Sequence, residues 1–108
     1  MSSQPKPPPG SEIRTIAPKL ADLTEKVLFG DVWERPDLSK RDRSLITCAV
    51  LTAMYRPVQL KSHLIRALEN GVTKDELIEM ITHVTFYGGW PTGVTAATVA
   101  AEVFGAET

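Results

Sequence analysis

The stretch RPVQLKSHLIRAL, residues 56–68, decides how this chain is read. Pro57 follows Arg56, so Arg56 is pushed toward extended backbone and Pro57 fits the first turn of a helix. Successive residues on an α-helix turn about 100°. Leu60, Leu64, Ala67 and Leu68 then share one face, which is the core face. His63 falls at the border of that face, beside Arg56, Gln59, Arg66 and Asn70. A half-buried imidazole there can meet both packing and polar partners, and its pKa can be moved near neutrality. Spacing alone reads His63 as a core histidine satisfied by one partner, the commoner case.

The same period extends outward on both sides. Asn70 and Gly71 close that helix. Thr73 with Glu76 forms a capping box for a helix over roughly 74–87, broken by Gly88 and Gly89. Trp90 before Pro91 is expected extended, and Pro91 opens a last helix. On that helix Ala97, Ala100 and Ala101 give a small-residue face. Upstream, Ser39 caps a helix over roughly 40–54, with Asp42 at the capping-box position. Leu45, Ile46, Cys48, Ala49, Val50, Leu51, Ala53 and Met54 make it apolar nearly all round, so it must be covered on several sides. Leu20, Leu23, Val27 and Leu28 mark a helix from Pro18 to Phe29, stopped at Gly30. DVWERPDLSK, residues 31–40, connects the two. No segment alternates like a strand. The expected fold is all-α, a small bundle of about five helices with short connections.

Composition sets the limits. With 108 residues, one small domain is expected, over 13–108, behind a Pro-rich N-terminal arm over 1–12. Net charge is −1 with no long basic run, so neither nucleic acid nor an anionic membrane is implied. No apolar run approaches the ~18 residues of a membrane span, and the N-terminus lacks the apolar core of a signal peptide. A cytoplasmic protein is expected. The single cysteine, Cys48, leaves no internal disulfide and no CxxC pair. A domain of this size buries only about 60–70% of its unfolded surface, so spare apolar surface favours self-association.

For chemistry, the spacing offers candidates and no fingerprint. Glu79 and His83 are four apart, which a surface ion pair also explains. Two histidines without a third ligand at metal spacing imply no metal site. Tyr87 shares a flank with His83. Arg35, Arg41 and Arg43 are of the type that grips carboxylates, although an Arg-rich stretch is more often a solvated face. Trp33 and Trp90, in loops, can wall an apolar pocket or pack at an oligomer interface.

Three pieces together carry a resemblance: VWERPDLSKRDRSLIT at 32–47, HLIRALENGVTKDELIE at 63–79 and HVTFYGGWP at 83–91. From about Phe29 to Phe104 the chain resembles the carboxymuconolactone decarboxylase family. The resemblance implies the alkylhydroperoxidase D type of helical fold, and intertwined dimers assembled into a hexamer as a trimer of dimers. It implies a cofactor-free decarboxylase acting on a small carboxylated lactone in protocatechuate and β-ketoadipate breakdown. His63, His83 and Tyr87 are then the catalytic candidates. Arg35, Arg41, Arg43, Ser44, Gln59, Trp33 and Trp90 are the substrate-binding candidates. No metal and no cofactor are implied. The peroxidase branch carries C-x-x-C-x-x-x-H with an upstream glutamate; here those positions hold Arg56, Gln59, His63 and Ser44. Two further readings stay open: a thiol-dependent peroxidase using Cys48, and a non-catalytic oligomer that binds a small ligand.

Overall fold

The computed structural model describes residues 11–107. Apart from its last two residues, the Pro-rich arm lies outside that range. Two compact units divide at Asp37 and Leu38, and all secondary structure among the described residues is helical.

In the first unit, α1 (Ser11–Ile16) and α2 (Pro18–Leu23) meet at Ala17, which leaves helical geometry at φ −137° and ψ 72°. Pro18 causes the break: it has no amide hydrogen, and it disfavours helical backbone at the residue before it. Arg14 bridges the joint, with ion pairs of 3.1 Å to both Asp22 and Glu25. The helix expected over 18–29 is present, but its second half, Thr24–Phe29, is wound as a π-helix. Gly30 closes it, where a side chain would press to 2.8 Å from the carbonyl oxygens of Glu25 and Lys26. A short 3₁₀ turn, Val32–Glu34, buries Trp33 against Phe29 at 5.8 Å between ring centres.

The second unit is four helices. Ser39 caps α3 (Lys40–Ala53) by accepting from the Asp42 amide at 3.0 Å. Tyr55, at φ +58°, turns the chain out of α3, and the Arg56 amide donates back to Leu51 at 2.9 Å. Pro57 then opens α4 (Pro57–Glu69). α5 (Lys74–Gly88) starts with both halves of the capping box: the Glu76 amide donates to Thr73 Oγ1, and the Thr73 amide to Glu76 Oε1. Trp90, expected extended, is already the first residue of α6 (Trp90–Glu107). Gly89 takes the whole break at φ +106°, so Trp90 is free to enter the helix.

Around the bundle, α3 touches α4 and α5, and α6 touches α5 and α4, so α4 and α5 sit across a diagonal. Cys48, Leu60, Leu64, Leu77 and Val103 fill the centre. On α6 the packed small residues are Ala96 and Ala100; Ala97 and Ala101, expected on that face, are exposed. One turn earlier, α5 and α6 approach closely where Gly93 meets Thr85. The outer face of α3 is uncovered, with Ile46, Val50 and Met54 exposed at 52%, 47% and 54%.

Candidate active site

Gln59, His63 and Arg66 on α4 and Asn70 at its C-cap are spaced by four, three and four, which aligns them on one flank. The opposite flank is fixed by Lys61, whose Nζ lies 3.5 Å from Glu102 on α6. The first flank therefore faces α3. Asn70 shows this directly: its Nδ2 donates to Ser44 Oγ at 2.9 Å, and Ser44 is fully buried on α3. Along this seam His63 and Arg66 are half-buried, while Gln59 is exposed.

The His63 Nδ1 is sealed from solvent with no hydrogen-bond partner. Burial lowers the pKa of the ring, and the positive charge of Arg66 lowers it further. His63 is thus held neutral near pH 7. We assign the hydrogen to Nε2, which leaves Nδ1 as the unpaired acceptor.

His83 and Tyr87 stack on α5, with ring centres 5.1 Å apart and planes tilted by 39°. They line a groove of about 400 Å³ between α3 and α5, floored by Ala49, Ala53 and Val84. A continuation toward Glu76 and Glu79 shares Ala49, His83 and Val84. Trp90 is elsewhere: it packs edge-on to Phe86, at 5.8 Å, over a hollow of about 210 Å³ between α5 and α6.

Each arginine candidate has a partner of its own. Arg41 donates to Asp42 at 3.0 Å and forms an ion pair with Glu76, which places it at the α3–α5 groove. That pairing raises the Arg41 pKa. The Glu76 carboxyl is held below its usual range, first by the Thr73 amide and then by Arg41. Arg43 donates from Nε to the Leu38 carbonyl at 3.1 Å. Arg35, beside Asp37, and Trp33 belong to the first unit.

Ser44, Gln59 and His63 are thus brought to the α3–α4 seam, and Arg41, His83 and Tyr87 to the α3–α5 groove. The two histidines lie on helices that face each other across the diagonal, on opposite flanks of α3. Two members of the seam, Arg66 and Asn70, stand beside His63 in the sequence pattern, three and seven residues after it, but were not among the site candidates. Cys48 is fully buried, and burial pushes its thiol up to about 12, so it carries almost no thiolate at neutral pH. Among the described residues, no three His, Cys, Asp or Glu side chains are placed to share a metal ion, and no helix is long and apolar enough to cross a membrane.

Residues 18–102 match the model of the carboxymuconolactone decarboxylase family. The chain is 49% identical over 83 residues to a 4-carboxymuconolactone decarboxylase of Acinetobacter baylyi, covering 77% of this chain and 62% of that one. It is 33% identical over 78 residues to a nitrosuccinic acid decarboxylase of Metarhizium robertsii, covering 72% and 54%. An uncharacterised 15.0 kDa protein of Paracoccus denitrificans is 33% identical over 90 residues, covering 81% and 66%. The chain thus spans between 54% and 66% of the length of these relatives.

Proposed function

This chain belongs to the carboxymuconolactone decarboxylase family, and from that premise we propose that it is a cofactor-free carbon–carbon lyase acting on a small carboxylated lactone of the 4-carboxymuconolactone type, in the breakdown of aromatic compounds. In such a substrate the bond to a ring carboxylate breaks and carbon dioxide leaves. The electron pair moves through the ring double bond into the lactone carbonyl, giving a dienolate. A proton from solvent, delivered to a ring carbon, completes the enol-lactone. The substrate itself stores the electrons, so the protein has three tasks. It stabilises charge on the carbonyl oxygen, holds the remaining carboxylate and delivers the proton.

The observation that carries this reading is the state of His63. A neutral ring with Nδ1 sealed and its hydrogen assigned to Nε2 is suited to donate to the carbonyl oxygen where charge develops, and a donor in a half-buried seam acts more strongly than in water. His83 and Tyr87 form a second polar pair, suited to polarising a lactone where the α3–α5 groove is closed by another copy. The exposed stripe of Ile46, Val50 and Met54 supports such an assembly, and a hexamer of three dimers is the form this reading takes.

The test is release of carbon dioxide from 4-carboxymuconolactone by the purified protein. Wild type is expected to turn over, and His63→Gln to lose kcat by about 10²-fold or more, the usual effect of removing one donor at a developing oxyanion. No carbon dioxide from wild type, or full activity in His63→Gln, would overturn the proposal.

A further inference from the structure

We propose that Arg66 is the carboxylate-binding cation of the His63 seam. The inference rests on the decarboxylase reading for its substrate, and it extends that reading by naming the group that anchors it.

A carboxylated lactone needs a cation within reach of the donor that meets its carbonyl. In the second unit, Arg41 is committed to Glu76 and Asp42 on the far flank of α3, Arg43 donates to the Leu38 carbonyl before α3, and the exposed Arg56 donates to the Met54 carbonyl. Lys61 pairs with Glu102 on the far flank of α4, and Lys74 lies over the Phe104 ring at 5.8 Å. Arg66 differs in its place. It follows His63 by three residues, so the two Cβ atoms are about 5–6 Å apart on one surface of the helix. It is half-buried on the same flank, and after burial itself its positive charge helps lower the pKa of the imidazole.

Geometry then sets the ligand. The stripe offers an amide at Gln59, a ring N–H at His63 and a guanidinium at Arg66, with Asn70 fastened to Ser44 as its floor. Arg66 already interacts within the chain, but a guanidinium has five N–H donors, enough to keep a partner and still grip a carboxylate through its fork. The matching ligand is a small organic acid with a carboxylate and a carbonyl or second carboxylate oxygen one helical step apart. The same positive charge disfavours imidazolium, so His63 stays a neutral donor while the anion is held by its neighbour.

Because the chain has two histidines, the imidazole resonances of labelled protein are assigned with one variant, His83→Gln. Titration with glutarate, which cannot be decarboxylated by this route, reads binding without turnover. We expect a saturable shift of the His63 signals. Arg66→Gln should weaken it at least about 10-fold and Arg66→Lys less, because a point charge lacks the fork. Lys61→Gln should leave it unchanged, and dimethyl glutarate should give none. With the lactone, Arg66→Gln should raise KM about 10-fold or more while kcat falls less, the sign of lost anchoring. Circular dichroism checks that each variant is folded. Glutarate shifts equal in wild type and Arg66→Gln, or no His63 shift in wild type, would overturn the inference. So would lactone turnover with an unchanged KM in Arg66→Gln. An Arg66-dependent shift without carbon dioxide release would uphold the carboxylate site and defeat the decarboxylase reading alone.

Discussion

At His63, one buried atom has consequences that a pH titration can read. The ring is harder to protonate in the folded protein than in the unfolded chain, whose histidine titrates near 6.5. Below that value the unfolded state binds more protons, so folding loses stability as pH falls toward and through the lowered folded-state pKa. The contribution is complete above the unfolded value. Thermal melting between pH 7.5 and 5 (about, spanning the histidine range) should show a falling midpoint in wild type and a flatter profile in His63→Gln. An equal slope in both would mean that the imidazole is not buried as described. Cys48 makes a second residue-level prediction. Its thiol is enclosed and pushed up to about 12, so an aromatic disulfide reagent at pH 8, about half a unit below an ordinary thiol pKa, should label it only as fast as the protein opens. Fast labelling, or peroxide consumption lost in Cys48→Ser, would revive thiol chemistry. The type of residue at each of these positions was legible in the sequence, and so was the border position of His63. Which nitrogen is sealed, and what charge stands beside it, depends on neighbours in three dimensions.

Helix ends behaved differently from helix contacts. The Ser39 and Thr73 caps and the Pro57 start stand where their local chemistry puts them, because each is decided within about one turn of chain. Thr73→Ala should cost about 1 kcal/mol in urea unfolding, with α5 still present by circular dichroism. The α5–α6 crossing was not legible, since nothing local to Gly93 says that Thr85 will lie against it. A Cβ at position 93 would fall 1.8 Å from Thr85 Oγ1 and 2.8 Å from Thr85 Cβ. Gly93→Ala should therefore destabilise the bundle by about 1–3 kcal/mol. Gly105→Ala is the comparison, with nothing within 4 Å of its added carbon. If the two alanine variants unfold at the same urea concentration, the close crossing is wrong. The π-wound half of the 18–29 helix was equally hidden, because its apolar spacing fits an ordinary α-helix as well.

For the whole molecule, the informative feature is what the single chain leaves uncovered. Residues 44–55 carry no charged side chain, and on α3 the stripe of Ile46, Val50 and Met54 faces outward. Val50→Glu places a charge in the middle of that stripe. Sedimentation analysis should show it shifted to smaller assemblies than wild type, with helicity retained; unchanged mass would leave the stripe without a partner. By itself the sequence determined the all-α class, four of the helix starts, the core face of α4, and the family to which the chain belongs. Those properties follow from spacing and capping, which act over a few residues. Only the tertiary structure decided that His63 and His83 stand on opposite flanks of α3, that Arg41 is tied to Glu76, and that the flank carrying His63 and Arg66 faces α3. A helix pattern fixes which residues share a face, but the flank that each face offers to a neighbour is set by how four helices pack around one core.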